Sequence, residues 1–219
     1  MKASSFTPPI WASKLKHVPA SRLHLMLTES TPVTPWTFSH NGKRFSLLIK
    51  RDDLTDVSAS GNKIRKLEFL LADALRCDAD ALVSVGGTAS NHCRAVAALA
   101  GRVGIDKTFL VLRKDRYFQN EAEGNLLLDN VFGAHTVLVD AKTYAQEGQK
   151  RLTAALSEKL IKEGKCSRPY IIPVGGSVTL GVWGYIQMVH ELSLQIKPGE
   201  IDVVRNGKEI FFFSSFTFC

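Results

Sequence analysis

The sequence predicts an α/β fold, and three observations carry that prediction. Short apolar or β-branched runs alternate with longer stretches of helical spacing along most of the chain. That alternation implies βαβ units, hence a parallel sheet with helices on both faces. The chain has 219 residues, 45% of them apolar and 22% charged, with a mean hydropathy near zero. Those values are close to the average for globular domains and exclude disordered, collagen-like and coiled-coil classes. The length suits one large domain or two small ones. No apolar run approaches the ~20 residues of a membrane-spanning helix.

Each element follows from its local pattern. Ser46 to Lys50 reads as a strand, and residues 63–76 as a helix with Leu67, Leu70, Leu71, Ala74 and Leu75 on one face. Ala81 to Val85 is a buried strand. Ser90 to Val103 is a helix whose apolar stripe is Cys93, Val96, Ala97 and Ala100. Then come a strand at Thr108–Leu112, a helix at Glu121–Phe132 and a strand at His135–Val139. An amphipathic basic helix covers residues 143–163, with Leu152, Ala155, Leu156 and Leu160 at helical spacing. Tyr170–Pro173 is a strand, Leu180–Leu194 a helix, and Ile201–Val204 begins another strand.

The formal charge of +7 raises a nucleic-acid partner, but the basic residues are scattered instead of gathered on one face or tail. No nucleic-acid partner is expected. Cys77, Cys93, Cys166 and Cys219 lie far apart, with no CxxC or Cys/His ligand spacing. That argues for reduced, buried thiols, with neither a disulfide framework nor a metal site. The first 28 residues lack Asp and Glu, as organellar leaders do, yet Pro8, Pro9 and Pro19 interrupt any amphipathic helix there. A cytoplasmic location is expected, with a mitochondrial one left open.

Three segments could carry chemistry. In Ser58–Glu68, Ser60, Gly61 and Asn62 are turn and N-cap residues that put Lys63 in the first turn of a helix. By spacing alone, a solvated surface lysine is the commoner reading. A nucleophilic lysine must be neutral, and the helix terminus with neighbouring Arg65 and Lys66 would lower its pKa. In Val83–His92, a strand, a Gly-rich loop and a helix start would present backbone N–H groups, Ser90 and Asn91 to a ligand at the strand ends. Ser90 is equally an ordinary N-cap. His92 and Cys93 are adjacent on a helix and so do not face each other. Ile172–Ser177, followed by Leu180–Tyr185, repeats the pattern, with Trp183 and Tyr185 as core candidates. Asp52 and Asp53 are read as turn caps in preference to a catalytic carboxylate pair.

Taken in order, Ile49-Lys-Arg-Asp-Asp53, Ser60-Gly-Asn-Lys-Ile-Arg-Lys-Leu-Glu-Phe69, Gly86-Gly-Thr-Ala-Ser-Asn-His-Cys-Arg94, Gly124-Asn-Leu-Leu-Leu128 and Ile172-Pro-Val-Gly-Gly-Ser177 resemble one family. It is the fold-type II pyridoxal-phosphate enzymes of the D-cysteine desulfhydrase and 1-aminocyclopropane-1-carboxylate deaminase type, matched over roughly residues 10–204. The resemblance implies a two-lobed α/β enzyme with parallel twisted sheets. Residues 1–60 would open the large lobe, 61–170 form the small lobe, and 171–204 return to the large lobe. It makes Lys63 the lysine that holds pyridoxal 5'-phosphate and Asn91 the partner of the cofactor's ring oxygen. Ser90 falls at the substrate carboxylate, where it is the ring-opening nucleophile of the deaminases, and Lys66 near the phosphate. A small amino-acid substrate and a homodimer are implied. His92-Cys-Arg94 tilts the reading toward D-cysteine, converted to pyruvate, hydrogen sulfide and ammonia. Aminocyclopropane carboxylate is the alternative. Thr88-Ala89 replaces the Ile-Gln usual in relatives.

The resemblance stops at Val204. Residues 205–219 are a non-family tail holding five of the 12 phenylalanines in its last nine positions. Relatives continue instead into a Gly/Ser/Thr-rich phosphate loop. On this basis the second lobe is expected to be incomplete, with Ile201–Val204 left as an exposed apolar edge. The chain is expected to be a truncated, inactive product, for example of a retained intron, or a non-catalytic isoform acting as a binding partner.

Overall fold

The computed structural model describes residues 2–59, 61–115, 123–197, 203–206 and 209–212, the last two segments as backbone alone. Ser60, the start of the helix expected from Glu121, Ile201, Asp202 and most of the 205–219 tail lie outside these residues.

A four-stranded parallel sheet organises the chain. Its strands are β5 (Ala81–Gly87), β6 (Thr108–Arg113), β7 (His135–Val139) and β8 (Pro169–Ile172), in the order β7-β6-β5-β8. Alternation along the strands sends side chains to opposite faces. Leu82, Leu110 and Leu112 pack under α1 (Lys63–Arg76), α2 (Asn91–Ala100) and α3 (Gly124–Val131), while Ala81, Val83 and Phe109 meet Leu156 and Leu160 of α4 (Ala141–Lys162). With both faces covered, β5 is buried almost throughout, which accounts for its unbroken apolar run.

The helix periodicities hold with local adjustments. α2 ends at Ala100 in a 3-10 turn, Gly101–Val103. α4 is broken at Gly148, whose φ of 72° is open to glycine. Its buried stripe is Thr153, Leu156, Ser157 and Leu160; Ala155, expected on that stripe, is exposed, so the helix is rotated by part of a turn. Among the described cysteines Cys93 and Cys166 are buried free thiols, but Cys77, expected to be buried, is exposed at the end of α1.

Outside the sheet, β1 (Ser4–Ser5) pairs with β2 (Ser21–Arg22), and β3 (Val33–His40) with β4 (Lys43–Lys50). The β3–β4 ribbon turns at Asn41-Gly42, both at positive φ, the pattern of a tight hairpin turn. Trp36, Phe38 and Phe45 stack along it at 5.0 and 5.2 Å, in the open. β9 (Val203–Asn206) pairs with β10 (Glu209–Phe212) in a ribbon of its own, so one edge of the expected open strand is hydrogen-bonded.

α5 (Thr179–Gln195) packs along α1 and fastens the N-terminal segment to the sheet. Arg65 of α1, fully buried, donates to Asp52 at 2.7 and 2.9 Å, to Glu191 of α5 at 2.7 and 3.0 Å, and to Thr31 at 3.0 Å. Lys50 meets Glu191 at 2.8 Å from the other side. Asp52 and Asp53 sit in a short 3-10 turn, Asp52–Leu54, but serve different arginines, Arg65 and Arg51. The structure thus gives Asp52 an ion pair beyond the turn role expected of it.

Candidate active site

The carboxyl ends of β5 and β8 deliver two Gly-rich turns to one place, and α1 brings a lysine to it. Lys63 is the first residue of α1 and half-buried. Desolvation holds its pKa below the ordinary lysine value. This corrects the expectation that Arg65 and Lys66 do so, because the charge of Arg65 is consumed by Asp52 and Glu191. The lysine Nζ donates to Asn62 Oδ1 at 3.0 Å. Asn62 was expected to cap the helix; instead its Nδ2 donates to the Tyr185 hydroxyl of α5 at 2.8 Å, and its side chain makes no cap bond.

Lys66 lies one turn further along α1. Its ammonium donates to Gly175 O at 3.0 Å and Ser177 Oγ at 3.1 Å, and it sits 5.3 Å from the centre of the Tyr185 ring. Burial and then the charge of Lys63 lower its pKa. The turn it holds has positive φ at Gly175 and Gly176. A Cβ on Gly176 would come within 2.9 Å of Leu70, with His92 and Lys66 at 3.4 and 3.5 Å. Glycine there lets the turn settle onto the lysine.

Ser90 caps α2, its Oγ accepting from Cys93 N at 3.2 Å. It fits so close to β5 that a Cβ on Gly86 would lie 2.7 Å from that Oγ. Asn91, exposed at the helix start, accepts from Asn125 Nδ2 at 3.0 Å. His92 points the other way, into the core, its Nε2 3.3 Å from Ser84 Oγ, which donates to Ile172 O. Burial, reinforced by the charges of Lys63 and Lys66, pushes its imidazole down to about 3, so it stays neutral. The Gly176 turn, with His92 and Lys66 both against it, joins α1 to the start of α2. Burial pushes the Cys93 thiol up to about 12, which makes it inert as a nucleophile.

The structure thus gathers Lys63, Lys66 and the start of α2, which carries Ser90 and Asn91. Asn62, Tyr185 and Asn125 complete the surroundings and were not anticipated. Trp183, expected in the core, is buried, whereas Tyr185 is half-buried and turned toward the lysines. Among the described residues no group of three His, Cys, Asp or Glu could hold a metal ion. Two surface crevices of about 470 Å³ each lie elsewhere, one along His17–Ser21, Phe69 and Leu180, the other along Asp78–Asp80 and Arg168.

Comparison with known proteins places the chain in a family. The family model described as pyridoxal-phosphate dependent enzyme matches residues 25–207. An Arabidopsis thaliana protein named bifunctional D-cysteine desulfhydrase/1-aminocyclopropane-1-carboxylate deaminase, mitochondrial, is 42% identical over 194 residues, covering 87% of this chain and 47% of its own. A Serratia proteamaculans D-cysteine desulfhydrase is 42% identical over 160 residues, 71% of this chain and 46% of its own. The crystal structure of an ACC deaminase homologue superposes with a TM-score of 0.70 at 34% identity, covering 87% of this chain and 55% of that one. The chain spans about half the length of the curated relatives it matches. On the extent of that match and the α/β core that carries it, this chain belongs to the family of pyridoxal-phosphate-dependent enzymes, fold-type II.

Proposed function

We propose that these residues carry the amine side of a pyridoxal-phosphate lyase site that converts D-cysteine to pyruvate, hydrogen sulfide and ammonia. The observation that carries the reading is Lys63, a half-buried lysine with a lowered pKa where α1 meets the start of α2 and the 174–176 turn. Pyridoxal phosphate, when bound, supplies an aldehyde for a primary amine and a ring that accepts the electron pair left by a departing proton. The residues present fit its aldehyde end. Lys63 Nζ is the amine, Asn91 the donor to the ring oxygen, and the Lys66 ammonium a positive charge for the phosphate.

Lys63 would hold the cofactor through its aldehyde and, once freed by the substrate amine, would remove the proton from the substrate's α-carbon. A lowered pKa keeps more of it in the neutral form that both tasks need. Ser90 and the backbone N–H groups at the start of α2 receive the substrate carboxylate. Once the proton has left, the carbon–sulfur bond breaks and sulfide departs. Water hydrolyses the remaining enamine to pyruvate and ammonia. The proposed division into lobes puts the reacting lysine at the border between residues 1–60 and 61–170.

The test is sulfide release from D-cysteine by the whole gene product that contains these residues. Lys63→Ala is expected to lower it by roughly 10³-fold or more. Release of 2-oxobutanoate from aminocyclopropane carboxylate without sulfide would transfer the site to the deaminase reaction, and an active Lys63→Ala variant would overturn the reading. We assign the chain to a thiol-reducing compartment, the cytoplasm or the mitochondrion, on its buried free thiols; a tagged chain that collects with a secretory marker would contradict this. The homodimer implied by the family draws support from the apolar side chains exposed on β3–β4, and light scattering at twice the 24.1 kDa of one chain is expected.

A further inference from the structure

Asn125, in the first turn of α3, makes two contacts that fix more than its own position. Its Nδ2 donates to the carbonyl oxygen of Ala89 at 2.9 Å and to Oδ1 of Asn91 at 3.0 Å. A backbone carbonyl only accepts, so the atom facing Ala89 must be the NH2 nitrogen of Asn125. The same nitrogen offers its second hydrogen to Asn91, which must therefore turn its oxygen toward Asn125. The NH2 group of Asn91 faces away, and none of the described hydrogen bonds uses it. Asn91 is exposed, and the terminal torsion of an asparagine is soft. Without Asn125 its oxygen and nitrogen would exchange places at little cost.

α3 is a firm base for such a contact. Its Leu126 packs with Cys93 and Ala97 of α2 and Leu110 and Leu112 of β6. The distance from Asn125 to Asn91 is therefore set by core packing, not by a free loop.

We infer that Asn125 is a positioning residue that locks the Asn91 amide as a hydrogen-bond donor toward a negatively charged ligand oxygen. A reversed Asn91 amide would present its own oxygen there and repel the ligand. The inference rests on the proposed reading in which that oxygen is the ring oxygen of pyridoxal phosphate.

Titration of the whole gene product that contains these residues with pyridoxal phosphate, followed by absorbance, tests it alongside N91A, N125A, N125D and the N91A/N125D double variant. Losing a hydrogen bond to a charged group weakens binding by roughly 10-fold or more, the effect expected for N91A. N125D is expected to match it, because the introduced carboxylate repels both the Ala89 carbonyl and the Asn91 oxygen. N125A, which frees the amide without reversing it, is expected to cost about 3-fold. The double variant should bind within about 2-fold of N91A. A residue that merely ties α3 to α2 would weaken binding as much in the N91A background as in the unsubstituted chain, and that result overturns the inference. Unchanged affinity in N125A and N125D beside a weakened N91A also overturns it. If N91A binds as tightly as the unsubstituted chain, or that chain takes up no pyridoxal phosphate, the underlying reading of Asn91 fails instead.

Discussion

Lys63, like Lys66, is set apart from the other described lysines by lost water. Among the described residues its acceptor is the Asn62 amide oxygen, and no carboxylate pairs with it. Such a group is cheap to deprotonate. The opposite case stands nearby. Asp129 of α3 is fully buried, neither carboxylate oxygen has a partner among the described residues, and burial pushes its pKa up to about 7 against the pull of Arg94. With its folded pKa raised, Asp129 contributes stability that is present below pH 4 and lost as pH rises through about 7. Asp129→Asn removes that dependence. The variant is expected to match the parent near pH 4 and to exceed it by about 2–4 kcal/mol at pH 8. Denaturant melts at the two pH values read this difference, and equal offsets at both would refute it. The motif residues Lys63, Lys66, Ser90 and Asn91 were all legible in the sequence. Asn62 as the lysine's acceptor and Tyr185 as its support were not, because their bond joins positions 123 residues apart and no local pattern announces it.

At the level of elements, the site depends on how closely α5 approaches α1. A Cβ on Gly184 would collide with the carbonyl oxygen of Arg65 and lie 2.8 Å from Lys66 N, backbone atoms that cannot step aside. Gly184→Ala is expected to cost roughly 3 kcal/mol as overpacking. Val182→Ala, on the exposed side of the same helix, should cost under about 0.5 kcal/mol beyond its propensity gain. Thermal unfolding of both variants checks the contrast, and equal losses would contradict the close packing. Periodicity and apolar runs marked every α-helix and every strand of the parallel sheet. The β3 half of the ribbon was missed although Asn41-Gly42 carries a hairpin signal, because Pro35 and exposure on both faces erase the alternation expected of a half-buried strand. Rotation of α4 past Ala155 was equally illegible. Thr153 and Ser157 fill its buried stripe by donating to carbonyls of their own helix, so polar residues take places expected for apolar ones.

For the molecule as a whole, a small α/β unit and a buried ion network position one lysine. Removing Arg65 would leave Glu191 with only Lys50 and Asp52 with only the Thr31 hydroxyl among the described partners. Arg65→Ala is therefore expected to cost about 3–5 kcal/mol. Chemical denaturation reads that loss, and a change under about 1 kcal/mol would show that the network does not hold α5 to the N-terminal segment. Fold class and family were visible in the order of the motifs. Relations between distant segments, this network above all, needed three dimensions. The central claim is that Lys63 is the amine that bonds the cofactor's aldehyde. Borohydride reduction of the whole gene product in the presence of pyridoxal phosphate, followed by peptide mass mapping, tests it most directly. A single pyridoxyl group on the peptide containing Lys63, absent in Lys63→Ala, is the expected result. A label on Lys66 or another lysine, or no label on any peptide, would contradict the account.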